Sequence, residues 1–392
     1  MNNVKRNTNI KNVDSIFVIL IFTLMSFGLV MLFSASFAEA FYKHGKSLHF
    51  ISRQAVRAAI GVAGMCIISR IHYSFYKKAA KAMFFFTLIL LIAVLFTKGD
   101  KNGIKRWIDF PVIGQFQPSE GVKFAIIALF SKMITDVGQS KMQTFRYGIL
   151  RFVLILALIV GLMRMQPHLS GIVLICSIAG ILMFMGGTDV RWFIALFILA
   201  GVGLIVTLAF SGSYMGGRAY YWLHPFSDPL NKTMQTDQSL LAIGSGGIFG
   251  LGLGLSRQKF MYLPEVQNDF IFSIVCEELG AIGGIFVIIL FLLFCYKGFE
   301  IASKAPDKFS CLMCAGIIGQ FGVQAMFNIA VVTATVPNTG ISLPFFSYGG
   351  TALVIQLWEM GIVLNISRYA GTQKLIRLNK TNKLQRTHIA QT

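Results

Sequence analysis

Apolar residues fall in long unbroken runs along this chain, not in the alternation of a half-buried strand. Ten such runs lie near residues 15–36, 54–71, 82–97, 121–135, 149–164, 170–186, 190–211, 270–297, 311–334 and 343–366. A helix needs roughly 20 apolar residues to cross the hydrocarbon core of a bilayer, so the runs read as spans. The prediction is an all-α, polytopic membrane protein. The fourth run is the weakest, being short and carrying Lys123. Spans six and seven are separated by Gly186-Gly187-Thr188-Asp189, which predicts a tight helical hairpin. The longest polar stretch, 212–269, joins spans seven and eight. The chain divides into an N-terminal tail (1–14), a ten-span membrane domain (15–367) and a basic C-terminal tail (368–392). The first run, Ser15 to Ser36, lacks a small-residue cleavage site and is expected to stay as a span.

Composition agrees. Of the 392 residues, 55% are hydrophobic and 13% are charged, about half the usual soluble share of roughly 25%. Too little charge is present to cover a soluble surface, which excludes a soluble enzyme, a disordered chain and a disulfide scaffold. The net charge of +19 sits in loops between apolar runs. It points to anionic lipid head groups and away from nucleic acid. All six cysteines fall in or beside apolar stretches and read as small core residues, with neither metal nor disulfide roles.

Orientation follows from Lys and Arg placement. With the N-terminus cytoplasmic, ten spans return the C-terminus to the same side, and a majority of the basic residues lie inside. The outer loops still keep Lys43, Lys46, Lys98, Lys101, Lys105, Arg106, Arg218, Lys232, Arg257 and Lys259. That excess suits handling of an anion at the outer face, although solvated loop lysines explain part of it.

Charges within membrane segments are costly and mark candidate sites. Glu120 and Lys123, at the outer start of span four, share a helix face by their i,i+3 spacing. Ser119 reads as the N-cap, and a boundary lysine such as Lys123 is expected to add little to packing. The preceding Lys105-Arg106-Trp107 offers a basic–aromatic cluster for a phosphate and a sugar face. Asp269 ends the long outer loop, where it reads either as an N-cap or as a general base at a cavity edge. Glu277 and Glu278 lie too deep to share a reacting atom with it and read as fold residues. The glycine-rich run from Gly244 to Gly254 is no nucleotide loop and suits close packing or re-entrant backbone. The stretch Pro337–Gly350, with its prolines and glycines, suits a broken helix lining a cavity. His168 and His224 stand alone, which disfavours metal ligation.

These segments, in this order, resemble the FtsW/RodA/SpoVE (SEDS) family of polytopic glycosyltransferases of bacterial cell-wall synthesis. The matching stretches are NGIKRWI at 102–108, FQPSEGVKFA at 116–125, QSLLAIGSGGIFGLGLGLSRQK at 238–259, YLPEVQNDFIFSIVCEELG at 262–280 and PNTGISLPFFSYGG at 337–350. The likeness runs from about residue 12 to 370 and is greatest to the FtsW branch, with a SpoVE-type paralogue next. It implies polymerisation of lipid II, a disaccharide-peptide on undecaprenyl pyrophosphate, at the outer face of the cytoplasmic membrane. A class B penicillin-binding protein transpeptidase and other division-complex proteins at the septum would be partners. The family's essential aspartate falls on Asp269, its charged pair on Glu120 and Lys123, and its loop tryptophan on Trp107. Arg106 and Arg218 are further cations for the pyrophosphate. Gln238, Ser239 and Ser347, inside the matched motifs, are further candidates for substrate contact. Many relatives carry aspartate where this chain has His168.

Transfer from an α-linked pyrophosphate to a β-linked product inverts the anomeric carbon. It needs one base and positive charge at the leaving group. No metal-ligand cluster is evident, so a divalent cation (Mg2+ or Mn2+) would be held mainly by the substrate pyrophosphate. Two rival readings stand beside this one. A lipid II flippase or secondary transporter would also use broken helices and intramembrane charge, but the charges gather at the outer boundary and no inverted repeat is apparent. A non-catalytic division scaffold is the other.

Overall fold

A computed structural model describes residues 12–97, 99, 105–110, 114–196, 198, 221–228 and 233–370. The apolar runs are helical: α1 Ser15–His44, α2 His49–Ile68, α3 Ser74–Ala93, α4 Pro118–Val137, α5 Arg151–Arg164, α6 Leu169–Gly186, α7 Met234–Gly246, α8 Ile271–Ser303, α9 Lys308–Val332 and α10 Ala352–Arg368. One short antiparallel hairpin, β1 Ile108–Phe110 and β2 Gly114–Phe116, interrupts them. Side-chain chemistry sets the ends. Asp14 caps α1 by accepting from Phe17 N, and Asp307 caps α9 in a reciprocal pair with Ser310. Gly187, at φ 92°, closes α6 and turns the chain toward helical residues 190–196, as the hairpin prediction requires.

Among the described residues, seven helical stretches are long and apolar enough to cross a membrane: Ser15–His44, His49–Ile68, Ser74–Phe96, Phe145–Arg164, Leu169–Gly186, Ile271–Ser303 and Lys308–Val332. The other three expected spans differ for identifiable reasons. Helix α4 carries Glu120 and Lys123 and is buried by its neighbours. Most of span seven, 190–211, lies outside the described residues. Span ten is shorter than the expected 343–366. Helix α10 starts at Ala352, and the segment before it, with Pro337 and Pro344, runs without helix while burying Leu343, Phe345 and Phe346. The two described ends meet on one side, where Asp14 N donates to Ser367 Oγ at 3.2 Å and Asp14 pairs with Lys297 at 3.2 Å.

Helices α8 and α9 form the centre. Phe294 of α8 stacks on Phe17 of α1 and tilts against Phe321 of α9, which in turn stacks on Phe345. Close approach to that segment requires Gly28, where a Cβ would stand 2.5 Å from Phe345 O. Cys276 and Cys314 are buried as expected. Cys66 and Cys176 lie exposed on the outside of the bundle, a correction to their reading as core.

The described second half of the expected outer loop 212–269 folds back onto the bundle. Helix α7 packs along α8 into the bundle, and the glycine-rich turn then meets α8 near Glu277, about 10 Å along the axis from its start. Gly280, at φ 68°, breaks the α8 ladder there. The carbonyls of Glu277 and Glu278 are taken instead by Leu251 N and Gly252 N, each at 2.9 Å. A Cβ on Gly250 would stand 2.2 Å from Glu278 O, so side chains are excluded at that crossing. Glu277 accepts from Arg257 N at 2.8 Å, while Lys259 pairs with Glu278 at 2.9 Å with both side chains buried. Lys259 is therefore an interior residue, not a solvated outer cation. Buried charge persists here because every partner is supplied.

Candidate functional site

One end of the bundle opens into a cavity of about 550 Å3. The β1–β2 hairpin, with Ile108 opposite Phe116 and Asp109 opposite Gln115, places Trp107 and Gln117 at its rim. Lys105 does not join them, because its ammonium turns to Leu95 O at the exposed side. Pro118 takes the first position of α4, where its missing N–H costs nothing. Ser119 is thus inside the helix and not its cap, and its buried hydroxyl has no partner among the described residues.

One face of α4 then turns Glu120 and Lys123 into the cavity wall. Lys123 Nζ stands 2.9 Å from Glu120 and donates to Gln324 Oε1 at 3.2 Å. Lys123 is only 2% exposed, so it is a packed, paired residue and not a loosely held boundary lysine. Arg106 is aimed by the α5–α6 turn, donating from Nε to Gln166 O at 3.2 Å and from the guanidinium to Pro167 O. That turn is anchored in its own right by Gln166 Nε2 to Leu91 O at 3.0 Å. His168 follows it on the cavity wall, 3.3 Å from Gln117. Burial, with Arg106 and Lys123 nearby, lowers its pKa to about 3, so the imidazole is neutral.

Asp269 lies just ahead of α8 on the same wall. It does not cap the helix. Phe270 takes the flanking position, and no side-chain cap forms. The backbone of Asp269 is fixed by α9: Asn328 Nδ2 donates to Asp269 O at 2.7 Å and to Ile341 O at 2.6 Å. Four residues earlier, Gln324 donates to Ser342 O at 3.0 Å while holding Lys123. One face of α9 thus sets both the carboxylate and the ammonium. Among the described residues no side chain donates to the Asp269 carboxylate. Gly340, at φ +68°, leaves room beside it, where a Cβ would stand 3.1 Å from Oδ2. Burial raises this carboxyl to about 6, Glu265 adds to the rise, and Arg106 opposes it.

The remaining wall comes from α2 and the segment before α10. Arg53 and Arg57, one turn apart, face the cavity. Arg57 lies 5.2 Å from the Tyr348 ring, and its buried Nη1 has no partner among the described residues. Tyr348 N donates to Gln267 O at 2.7 Å, tying this segment to the Asp269 loop.

The structure therefore brings together Asp269, Lys123, Glu120, Trp107 and Arg106. It does not bring in Ser239, whose hydroxyl is buried between Ser273 Oγ and Val332 O, nor its neighbour Gln238 on α7. Ser347 turns its own segment by accepting from Leu343 N at 2.8 Å. Arg218 lies outside the described residues. Arg53, Arg57, His168, Gln324 and Asn328 complete the cavity and its support without having been read from the sequence as site residues. Their signal was polar residues four apart in otherwise apolar helices: Arg53 with Arg57, and Gln324 with Asn328.

Chemically, the cavity sets four cations around one carboxylate that is free to take a proton. That suits a phosphate-bearing ligand and a reacting hydroxyl. The described residues hold no cluster of three or more His, Cys, Asp or Glu side chains. Glu120 is engaged by Lys123, so these residues fit no resident metal cage.

The FtsW/RodA/SpoVE family model, described as cell cycle protein, matches residues 14–372. Stage V sporulation protein E of Bacillus subtilis is 38% identical over 361 residues, covering 91% of this chain and 97% of that protein. A probable peptidoglycan glycosyltransferase FtsW of Geobacter metallireducens is 35% identical over 376 residues, covering 94% and 100%. Among solved structures, a chain of a peptidoglycan synthase complex that coordinates polymerization and crosslinking superposes with a TM-score of 0.76 at 25% identity, over 91% of this chain and 98% of that one. The rod shape determining protein RodA of Thermus thermophilus gives 0.66 at 25% identity, over 91% and 97%.

Proposed function

Because the chain belongs to the FtsW/RodA/SpoVE family of multi-pass membrane proteins, we propose that it is a peptidoglycan glycosyltransferase that polymerises lipid II. The observation that carries the chemistry is the Asp269 carboxylate, undonated among the described residues, half-buried and raised to about 6, in a cavity ringed by cations. The acceptor sugar's 4-hydroxyl gives its proton to Asp269 as its oxygen attacks the anomeric carbon. The bond from that carbon to the pyrophosphate breaks on the opposite side. A base with a raised pKa gains driving force for the proton transfer while staying ionised at neutral pH.

Lys123, Arg106, Arg53 and Arg57 supply positive charge for the leaving pyrophosphate, in a recessed cavity where such charge counts more than in bulk water. Trp107 offers a sugar face. A divalent ion, if the reaction uses one, would arrive with the pyrophosphate. The polypeptide orientation that suits this chemistry puts the cavity outside and both termini in the cytoplasm. The likeness to a synthase complex that couples polymerization to crosslinking supports a transpeptidase partner, and the FtsW-named relatives support a place at the division septum. The test is purified protein with lipid II, with and without a transpeptidase, scored for glycan polymer and for lipid flipping. Polymer without flipping is expected. Flipping without polymer would favour the transporter reading, and neither would favour the scaffold.

A further inference from the structure

At the end of α4 away from the cavity, three cations converge on one aromatic ring. Arg151 lies 4.3 Å from the Tyr147 ring centre, Lys141 5.9 Å and Arg146 6.0 Å. The local backbone is built for this. After the single turn Gln139–Met142, residues Phe145–Leu150 wind as a π-helix into α5, a rare winding that recurs at functional positions. The turn folds so tightly onto it that a Cβ on Gly148 would stand 1.8 Å from Met142 O. Thr188 Oγ1 ties Gly148 O to the far end of α6 at 3.3 Å.

The three exposed basic residues concentrate positive charge about one ring, which an anion would neutralise. Among the described residues no carboxylate pairs with any of the three. The nearby acids are engaged elsewhere, Asp136 with Lys77 at 3.5 Å and Asp189 with Arg191 at 2.6 Å. From the end of the π-helix along α5, Leu150, Leu154 and Leu158 form an exposed stripe at i, i+4 and i+8. Exposed Phe145, 5.0 Å from Trp192, flanks the cluster with the aromatic pairing found at a membrane interface.

We propose that this cluster is a binding site for an anionic phospholipid: the headgroup phosphate lies among Lys141, Arg146 and Arg151, and an acyl chain follows the leucine stripe. The continuous apolar track selects a lipid over a soluble anion. The three cations select phosphatidylglycerol or cardiolipin over zwitterionic lipid.

Native mass spectrometry of the purified full chain tests this. Wild type should retain phosphatidylglycerol in preference to phosphatidylethanolamine. Lys141→Gln/Arg146→Gln/Arg151→Gln should weaken that retention at least about tenfold. Lys78→Gln/Lys81→Gln, two exposed cations at the start of α3, should not. Equal retention by the site variant overturns the proposal. So does equal loss in the control, which would report generic surface charge, or displacement of the lipid by inorganic phosphate, which would report a soluble-anion site. Unaltered protein gives a second readout should the triple variant misfold. Brominated phosphatidylglycerol should quench tryptophan emission more than brominated phosphatidylcholine, and Trp192→Phe should remove the difference. No difference in wild type would equally overturn the proposal.

Discussion

Replacing Asn328 with leucine keeps the branched four-heavy-atom side chain, at a larger volume, but removes the clamp behind the proposed base. Two carbonyls, Asp269 O and Ile341 O, lose donors that now stand 2.7 and 2.6 Å away. A buried carbonyl left without a partner costs about 1–3 kcal/mol. The Asp269 bond is part-buried and belongs at the lower end, so together the change should cost about 2–4 kcal/mol. Activity should suffer separately. Asn328 fixes the backbone of Asp269, and a misplacement of about 1 Å at a reacting group can cost on the order of 100-fold. Thermal unfolding in detergent and lipid II polymerisation followed by gel are the assays. Asn328→Leu should melt several degrees lower and lose about tenfold or more in kcat, with a smaller change in KM. A variant that melts and polymerises like wild type would refute the claim that α9 positions Asp269.

Lys123→Met should destabilise the protein by about 3–5 kcal/mol, because it strands Glu120 in the wall, and Lys123→Met/Glu120→Gln should recover much of that while polymerising poorly. Recovery of activity in the double variant would remove Lys123 from the leaving-group role. Lys259→Met should likewise cost about 3–5 kcal/mol by leaving Glu278 buried and unpaired, with partial recovery on adding Glu278→Gln; wild-type melting of the single variant would contradict the folded-back packing. The pH profile of kcat/KM should fall on the acid side with its midpoint near 6. A raised carboxyl pKa means that the base form disappears as pH falls through about 6, not near the ordinary value of about 4. A rate that stays flat down to pH 5 would contradict this.

Spans were legible because a bilayer demands long apolar runs, and runs from Ser15 and from Ile271 carry little else. The folded-back segment was half legible. The glycine density announced close backbone packing, but nothing local to Lys259 shows that Glu278 will meet it across the fold. Span ten was overextended because Leu343, Phe345 and Phe346 are as apolar as any helix. Pro344 and the Phe345 backbone at φ 65° decide otherwise. Asp269, Lys123 and Trp107 stood out as polar or interfacial residues in distinctive motifs. Arg53, Arg57 and Gln324 line the same cavity and Asn328 supports it; their i,i+4 spacing marks a polar face, but only the tertiary fold brings those faces to one cavity. Ser239 shared a motif with site residues yet faces Ser273 between helices, since neighbours in sequence on a helix point to different sides.

The proposed chemistry turns on Asp269 taking the acceptor proton. Asp269→Asn preserves size, and it removes no cap because Asp269 caps nothing. Polymerisation of lipid II by this variant, measured beside its melting temperature, is the most direct test. Melting should stay near wild type while glycan output falls by at least about 100-fold, the worth of a general base. Wild-type output from a folded Asp269→Asn protein would contradict it.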